Sequence, residues 1–204
     1  PHKVIDSLEA IKRIGSDMGK TIVPEKASTT GNKNKYYVVH AVDETEKDKL
    51  NADILFIGPD ATVDHIKNLR RIISAYLSSA YGYSEKDADT LAVFVTVYNA
   101  VYRGQYDIYQ SKYKSVVMKN LSKDNCGLSV NYKDWPGKSE IVIPLYDVSG
   151  GLSTVDTSVI SDKKVVESMQ EEDDKGIDER KNMVDIKERE AEQAQENAQQ
   201  AQKK

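Results

Sequence analysis

The side chains that could perform acid–base, nucleophilic or metal chemistry are few in this sequence. The three histidines, His2, His40 and His65, have no carboxylate or cysteine at the spacing that metal ligands require. Cys126 is the only cysteine, and no signature of a cysteine nucleophile surrounds it. We therefore predict no catalytic residue, no metal site and no cofactor.

Two loops and one acid pair give weaker signals. Residues 30–33 and 136–139 resemble a phosphate-binding loop in composition, but neither has the two glycines of that motif at the required spacing. Asp60 and Asp64 form a compact acid pair that an unrecognised hydrolase could use. Acidic residues at the start of a helix more often balance its dipole, so a hydrolase is the third of our functional hypotheses.

Aromatic and cationic side chains offer binding chemistry. Trp135 could stack on a sugar beside Tyr132, but a tryptophan next to a predicted edge strand more often covers the core. Arg103 could bond the last carbonyls of the helix that ends at Gly104, a role that we favour over ligand binding. Together with Arg70, these residues form the candidate binding set: Trp135, Tyr132, Arg103 and Arg70.

The distribution of charge limits the classes of partner. Residues 162–204 carry 13 of the 33 acidic and 9 of the 29 basic side chains, so they hold the whole net charge of -4. The neutral remainder has no large positive field for phosphates, which argues against nucleic acid as a partner. No segment approaches the roughly 18 consecutive apolar residues of a membrane-spanning helix. Residues 1–20 also lack the compact apolar run of an export signal.

An α+β fold would position these side chains. Four segments with apolar residues every three or four positions predict a layer of about four helices. Three short runs of β-branched and aromatic residues predict a small sheet, with the last strand at an edge because it contains Pro144. The predicted helices are 4–18, 63–80, 84–104 and 106–121, the predicted strands are 36–42, 52–57 and 141–145, and residues 27–35 are a predicted flexible loop.

The third predicted helix differs from the others because it is apolar on almost every side between Leu91 and Tyr102. A helix without a polar face is normally enclosed by other elements. We therefore expect it to be the central buried helix of the domain.

The C-terminal part of the chain has a different composition. Residues 148–161 are rich in small polar side chains and are predicted to link a domain of residues 1–147 to a tail. Residues 162–204 lack aromatic side chains and are predicted to form a charged helical or disordered tail, the start of a coiled-coil stalk detached from the domain. Residues at sevenfold spacing in the tail could pair copies of the chain into an oligomer; they are Ile177, Val184, Ala191 and Ala198.

Four separate segments of the sequence carry a resemblance to a known protein family. They are NLRRIISAYL (68–77), VTVYNAVYRG (95–104), NLSKDNCGLS (120–129) and WPGKSEIVIPL (135–145). In order and spacing they resemble the amino-terminal domain of the spirochete 83/100 kDa antigen family, of the Borrelia and Treponema type. The likeness is strong over residues 53–147 and weaker before them. It assigns no active site. It implies an exported protein of the periplasm or cell envelope, in which this domain precedes a long Glu/Lys-rich segment.

We therefore expect a non-enzymatic structural or protein-interaction module of the cell envelope, with an envelope protein as its partner. The alternative is a domain that binds peptidoglycan or another glycan through Trp135 and neighbouring tyrosines. An aromatic cleft would favour glycan binding, and a buried carboxylate with a raised pKa in a pocket would favour an enzyme.

Overall fold

The computed structural model describes residues 7–146, 155–170 and 175–202. Within these ranges it contains eight helices and one four-stranded antiparallel sheet, which confirms the α+β fold class. The strands are β1 (Ser28–Asn32), β2 (Tyr36–Ala41), β3 (Asn51–Ile57) and β4 (Ser139–Leu145). The helices are α1 (Leu8–Gly19), α2 (Ile66–Tyr81), α3 (Glu85–Val101), α4 (Tyr106–Lys112), α5 (Ser115–Met118), α6 (Thr157–Ile160), α7 (Lys163–Gln170) and α8 (Lys175–Gln202).

The sheet has the strand order β1-β2-β3-β4, and each strand is antiparallel to its neighbours. Helices α2 to α5 lie between β3 and β4 in the sequence. The two strands nevertheless pair directly, with Ile57 opposite Ser139. The side chains of β3 and β4 are almost all buried, as their apolar runs suggest. The predicted edge position of β4 is confirmed.

The outer edge of β4 is closed by partners that are not strands. Gly127 and Glu140 exchange backbone hydrogen bonds of 2.8 and 3.2 Å. The side-chain amide of Asn99 donates to the carbonyl of Val142 and accepts its N–H, each at 2.9 Å. Two outward-facing residues of β4 are therefore satisfied by a loop and by a helix side chain.

The same edge is completed by the chain beyond residue 154. The N–H of Asp156 donates to the carbonyl of Pro144 at 2.7 Å, and Val155 forms a bridge with Leu145. Pro144 itself has no N–H that needs a partner. Residues 148–154 of the predicted linker, and the predicted boundary at residue 147, lie outside the described residues. Residues 155–161 are not a linker, because they close β4 and bury the side chains of Val155 and Ile160.

β1 lies within the segment 27–35 that was predicted to be a flexible loop, so that prediction is wrong. It pairs with β2 along its whole length, from Ser28 opposite His40 to Asn32 opposite Tyr36. Its side chains are small, polar and mostly exposed. It therefore lacks the apolar alternation by which a strand is recognised in a sequence.

α1 and α2 approach each other closely because α1 presents glycines to its neighbour. A Cβ atom at Gly15 would collide with the carbonyl oxygen of Ile72, and one at Gly19 would lie 2.7 Å from the carbonyl oxygen of Tyr76. α1 ends at Gly19, one residue beyond the predicted helix 4–18. Residues 4–6 of the predicted helix lie outside the described residues. α2 begins at residue 66 rather than 63, with His65 as its cap.

α3 is the central helix, as its apolar composition predicted. Ser84 caps it by accepting the N–H of Asp87 at 3.1 Å. Phe94 and Tyr98 are fully buried at its centre. It is in contact with α2, α6, α7, α8 and β4, so no long face remains for water.

The helix predicted over 106–121 is divided into α4 and α5. The backbone is extended at Tyr113 and Lys114, between the two helices. The N–H of Lys114 donates to the carbonyl of Leu50 at 3.0 Å, and its buried ammonium donates to the carbonyl of Asp43 at 2.8 Å. Contacts with the chain that leads into β3 therefore override the local helical periodicity.

The charged tail is helical in its described residues, but it does not lie free of the domain as expected. Val165 and Met169 of α7, with Met183 and Ile186 of α8, are at most 2% exposed and belong to the core that contains α3. The sequence hypothesis followed the sevenfold positions of α8. The helix instead buries the neighbouring face, which carries Met183 and Ile186, and leaves Ile177 and Val184 exposed.

Candidate functional site

Trp135 and Tyr132 lie at a 3₁₀ turn (Tyr132–Asp134) that precedes β4. Trp135 is 3% exposed, and its indole N–H donates to the carbonyl of Ser129 at 2.8 Å. Tyr132 is 49% exposed and meets Trp135 edge-on, with 6.5 Å between the ring centroids. The tryptophan ring therefore covers the core and presents no free face on which a sugar could stack.

Arg103 and Arg70 hold two different parts of the fold. Arg103 donates from Nη1 to the carbonyls of Asn125 and Gly127, at 2.8 and 3.0 Å. It therefore anchors the loop after α5 and not the last carbonyls of its own helix, which corrects the expected contact. Nε of Arg70 donates to Thr96 at 2.9 Å and joins α2 to α3. The four candidate binding residues are thus spread over three parts of the fold.

A shallow groove of about 170 Å³ lies at the end of the sheet. The rings of Tyr37 and Phe56 stack within it, with centroids 4.6 Å apart and planes 5° from parallel. Burial raises the pKa of Glu140, which also lines the groove, although hydrogen bonds from Ser122 oppose the shift. These bonds tie the carboxylate to the loop after α5. The acid pair Asp60 and Asp64 is exposed in the loop before α2.

A buried polar cluster joins β2, β3 and α2. Nδ1 of His40 lies 2.5 Å from Oδ1 of Asp53, and Nε2 lies 2.8 Å from the carbonyl oxygen of Pro24. The hydroxyls of Tyr76 and Tyr81 donate to Oδ2 of Asp53 at 2.7 and 2.5 Å. Sequence reasoning treated His40 as an ordinary histidine. The pairing of His40 with Asp53 follows from the register of β2 and β3, which places the two residues opposite each other.

The protonation of this cluster follows from its partners. Both ring nitrogens of His40 face oxygen atoms that can accept a hydrogen bond, and this arrangement favours the protonated ring beside Asp53. Burial lowers the pKa of His40. The hydrogen bond and the charge of Asp53, together with the hydrogen bond to the Pro24 carbonyl, outweigh this effect, so the pKa is raised overall. His40 and Asp53 are 0% exposed. The pair is therefore closed to substrates, and it joins the sheet to α2.

A second polar cluster fastens α8 to the domain. The carboxylate of Glu190 accepts the hydroxyl of Tyr83 at 2.9 Å and that of Thr157 at 2.9 Å. Burial raises the pKa of Glu190 to about 7, against the two hydrogen bonds, which lower it; the nearby Asp156 raises it further. At neutral pH this carboxyl is thus divided between its two protonation states.

Further polar contacts lie one residue and eight residues before Glu190 on α8. Arg189 donates to Oδ2 of Asp87 at 2.6 Å, and the amide of Asn182 donates to Thr90 at 2.6 Å. Asp87 and Thr90 belong to α3. The first half of α8 is therefore docked on α3 through apolar and polar contacts together.

The opposite face of α8 remains in solvent. Ile177 is 44% exposed and Val184 is 54% exposed. Residues 191–200 are exposed apart from the half-buried Asn197. Beyond Glu190 the helix therefore leaves the surface of the domain.

The described ranges show neither a metal-binding cluster nor a membrane-spanning helix. No three or more histidine, cysteine, aspartate or glutamate side chains there are grouped closely enough to hold a metal ion. None of the helices in those ranges combines the length and apolar character needed to cross a membrane.

Comparison with known protein families identifies a match over the chain. The model of the family described as Borrelia P83/100 protein matches residues 1–204, a range that includes the amino-terminal part where the resemblance was weak. No curated protein and no solved structure matches the chain. The suspected resemblance to the spirochete 83/100 kDa antigen family is confirmed, and the chain belongs to the Borrelia P83/100 protein family.

Proposed function

We propose that this protein is a non-enzymatic structural module of the cell envelope that anchors a charged helix and sets its direction. Membership of an antigen family supports association with the envelope. The observation that carries the proposal is the division of α8 into a docked half and a projecting half. The exposed residues 191–200 extend roughly 15 Å along the helix axis.

The docking contacts suit such a role. An alanine-rich, charged helix is only marginally stable in isolation, because nucleating its first turn is unfavourable. Burial of Met183 and Ile186 on the domain holds the first turns in place, so that the following residues extend an existing helix. The polar contacts of Asn182 and Arg189 with α3 fix the rotation of the helix about its axis.

The direction of α8 can be measured by pulsed electron paramagnetic resonance. Spin labels would be attached to cysteines placed at Lys12 on α1 and Gln195 on α8, with Cys126→Ala to remove the native thiol. We expect a narrow distribution of distances, which Met183→Asp should broaden by undocking the helix. Val184→Asp is the matched control, since Val184 is exposed on the same helix, and it should leave the distribution narrow. A broad distribution in the parent chain would reject the proposal.

The groove at Tyr37 and Phe56 favours a second candidate function. Because Trp135 is buried, glycan binding would have to use this groove and the exposed Tyr132. Nuclear magnetic resonance titration with purified peptidoglycan fragments tests this function. Shifts confined to Tyr37 and its neighbours, and lost in Tyr37→Ala, would support it, whereas an unchanged spectrum would reject it.

A further inference from the structure

The sheet has two edges, and only one of them is closed. At β4 the outward backbone groups of Glu140, Val142 and Pro144 all have partners. At the opposite edge, β1 pairs with β2 on one side, and none of the described residues forms a strand on its other side. Edge strands in natural proteins are usually covered, charged or interrupted by proline. The residues of β1 are serine, threonine, glycine and asparagine, with no charge and no proline among them.

The register of the four strands shows which backbone N–H and C=O groups of β1 point away from β2. In an antiparallel sheet, the residues of a strand bond alternately to one side and to the other. Since Val142 bonds outward, its neighbours in β4 bond to β3, and the alternation continues through the sheet. Ser28, Thr30 and Asn32 then bond to β2, whereas Thr29 and Gly31 face away.

The outward groups of these two residues have room for a partner strand. In the part of the chain that the structure describes, no hydrogen bond outside the sheet reaches the backbone of Thr29 or Gly31. Both residues are exposed. Together they offer two N–H donors and two carbonyl acceptors to an extended segment lying alongside, which is the geometry of strand addition.

The surroundings of this edge carry a positive charge, although residues 1–161 are neutral as a whole. Residues 20–35 contain four lysines and one glutamate. Lys26 precedes β1, while Lys33 and Lys35 follow it in the turn to β2, and all three are exposed. An extended segment paired with β1 would therefore have a lysine near each of its ends.

This charge decides between two kinds of occupant. A second copy paired antiparallel about Thr30 would place Lys26 of one chain near Lys33 and Lys35 of the other. A parallel copy would align each lysine with its equivalent. Like charges across a strand pair are destabilising, so both arrangements are disfavoured. An acidic segment would meet favourable charges at both ends.

We propose that the free edge of β1 binds an extended acidic peptide segment of a partner protein by adding it to the sheet as a fifth strand. This surface is separate from the docked helix α8, so either proposal can fail without the other. Backbone bonds at Thr29 and Gly31 supply the pairing, and the lysines around β1 supply the preference for acidic sequence.

The experiment is a titration of the ¹⁵N-labelled 204-residue chain with a peptide of eight alternating glutamate and threonine residues. The matched peptide of alternating lysine and threonine is the control. We expect the acidic peptide to shift the amide signals of Thr29 and Gly31, with an affinity at least about five-fold higher than that of the control. Equal binding of both peptides, or shifts confined to other residues, would overturn the proposal.

Three variants locate the interaction. Thr29→Pro removes one outward N–H without removing a bond to β2, and it should abolish binding. Lys26→Glu with Lys33→Glu should weaken binding at least about five-fold, whereas Lys86→Glu with Lys119→Glu, the same change of charge at exposed positions on other elements, should not. If Thr29→Pro fails to fold, the two charge variants decide the result. Amide shifts at Thr29 that depend on protein concentration alone would identify a second copy as the occupant and would overturn the proposal.

Discussion

The side-chain amide of Asn99 replaces a neighbouring strand for Val142. It donates to the carbonyl of Val142 and accepts its N–H, both at 2.9 Å, as a paired residue in a sheet would do. Asn99 lies on α3 and is fully buried. A single polar side chain thus joins the central helix to the edge of the sheet.

Removing this amide should be costly. Asn99→Ala leaves the buried N–H and carbonyl of Val142 without their partner, and we expect a loss of about 3 kcal/mol in the free energy of unfolding. Asn120→Ala is a suitable control because the side-chain amide of Asn120 donates to the nearby carbonyl of Val116, four residues earlier, and not to a strand. It should cost less than about 1 kcal/mol in the same urea denaturation experiment. Equal losses of unfolding free energy in the two variants would show that the hydrogen bonds of Asn99 to β4 do not add to stability.

Truncation separates the docked part of the tail from the projecting part. A chain ending at Ser161 loses the burial of Val165, Met169, Met183 and Ile186, so we expect its melting temperature to fall by roughly 10 °C or more. A chain ending at Glu190 loses residues 191–200, which are exposed apart from the half-buried Asn197, and its melting temperature should change by less than about 3 °C. Differential scanning calorimetry measures both. A chain ending at Ser161 that melts with the parent would show that the tail adds no stability.

Glu190 should make the docking of α8 dependent on pH. Its pKa is raised to about 7 in the folded chain, so folding favours the protonated form. Its contribution is complete near pH 4.5 and is lost as the pH rises through 7, a decrease on the order of 2 kcal/mol. Glu190→Gln has no ionising group at this position and should flatten that part of the stability profile between pH 5 and 8. A profile that is unchanged in Glu190→Gln would contradict this assignment.

The pair of His40 and Asp53 gives a second dependence of the same sign. The pKa of His40 is raised in the folded chain, so its contribution to stability is complete below 6.5 and is lost as the pH rises through the folded value. The titration of the ring signals by nuclear magnetic resonance should therefore have a midpoint above 6.5. Asp53→Asn removes the charge partner and should lower the midpoint. A midpoint below 6.5 in the parent chain would show that burial outweighs the ion pair.

The exposed stripe of α8 bears on self-association. Ile177, Val184, Ala191 and Ala198 are spaced for a coiled coil, but alanine buries little area. We expect only weak dimers, with a dissociation constant of roughly 0.1–1 mM, in analytical ultracentrifugation. Ile177→Glu with Val184→Glu should abolish them and leave the melting temperature unchanged, because both residues are exposed. Dimers that persist in this variant would have to use another surface.

The sequence was most informative where local and tertiary preferences agree. The apolar surface of α3 identified the central helix, and Pro144 identified the edge strand, since each feature excludes most other environments. The break at Tyr113 could not be found in this way. It depends on bonds between Lys114 and residues more than sixty positions earlier, which leave no local mark.

The candidate site was less predictable than the fold. Trp135 was named for its residue type, but its exposure depends on whether the turn at 132–134 folds it over the core. β1 has no apolar pattern, because its pairing uses the backbone and its side chains face solvent. On α8, the sevenfold spacing indicated one face of the helix, but tertiary contacts bury the face that carries Met183 and Ile186.

The long separation between β3 and β4 has a consequence for the route of folding. Leu55 pairs with Ile141, so the chain must close a large loop before this part of the sheet can form. Such closure costs conformational entropy that local contacts do not repay, and proteins rich in distant pairings fold slowly. We expect the β1–β2 and β2–β3 pairs and the α2–α3 contacts to form first. Before β4 pairs, the edge of β3 that faces away from β2 is exposed. We expect the chain to be most prone to aggregation at this stage of folding.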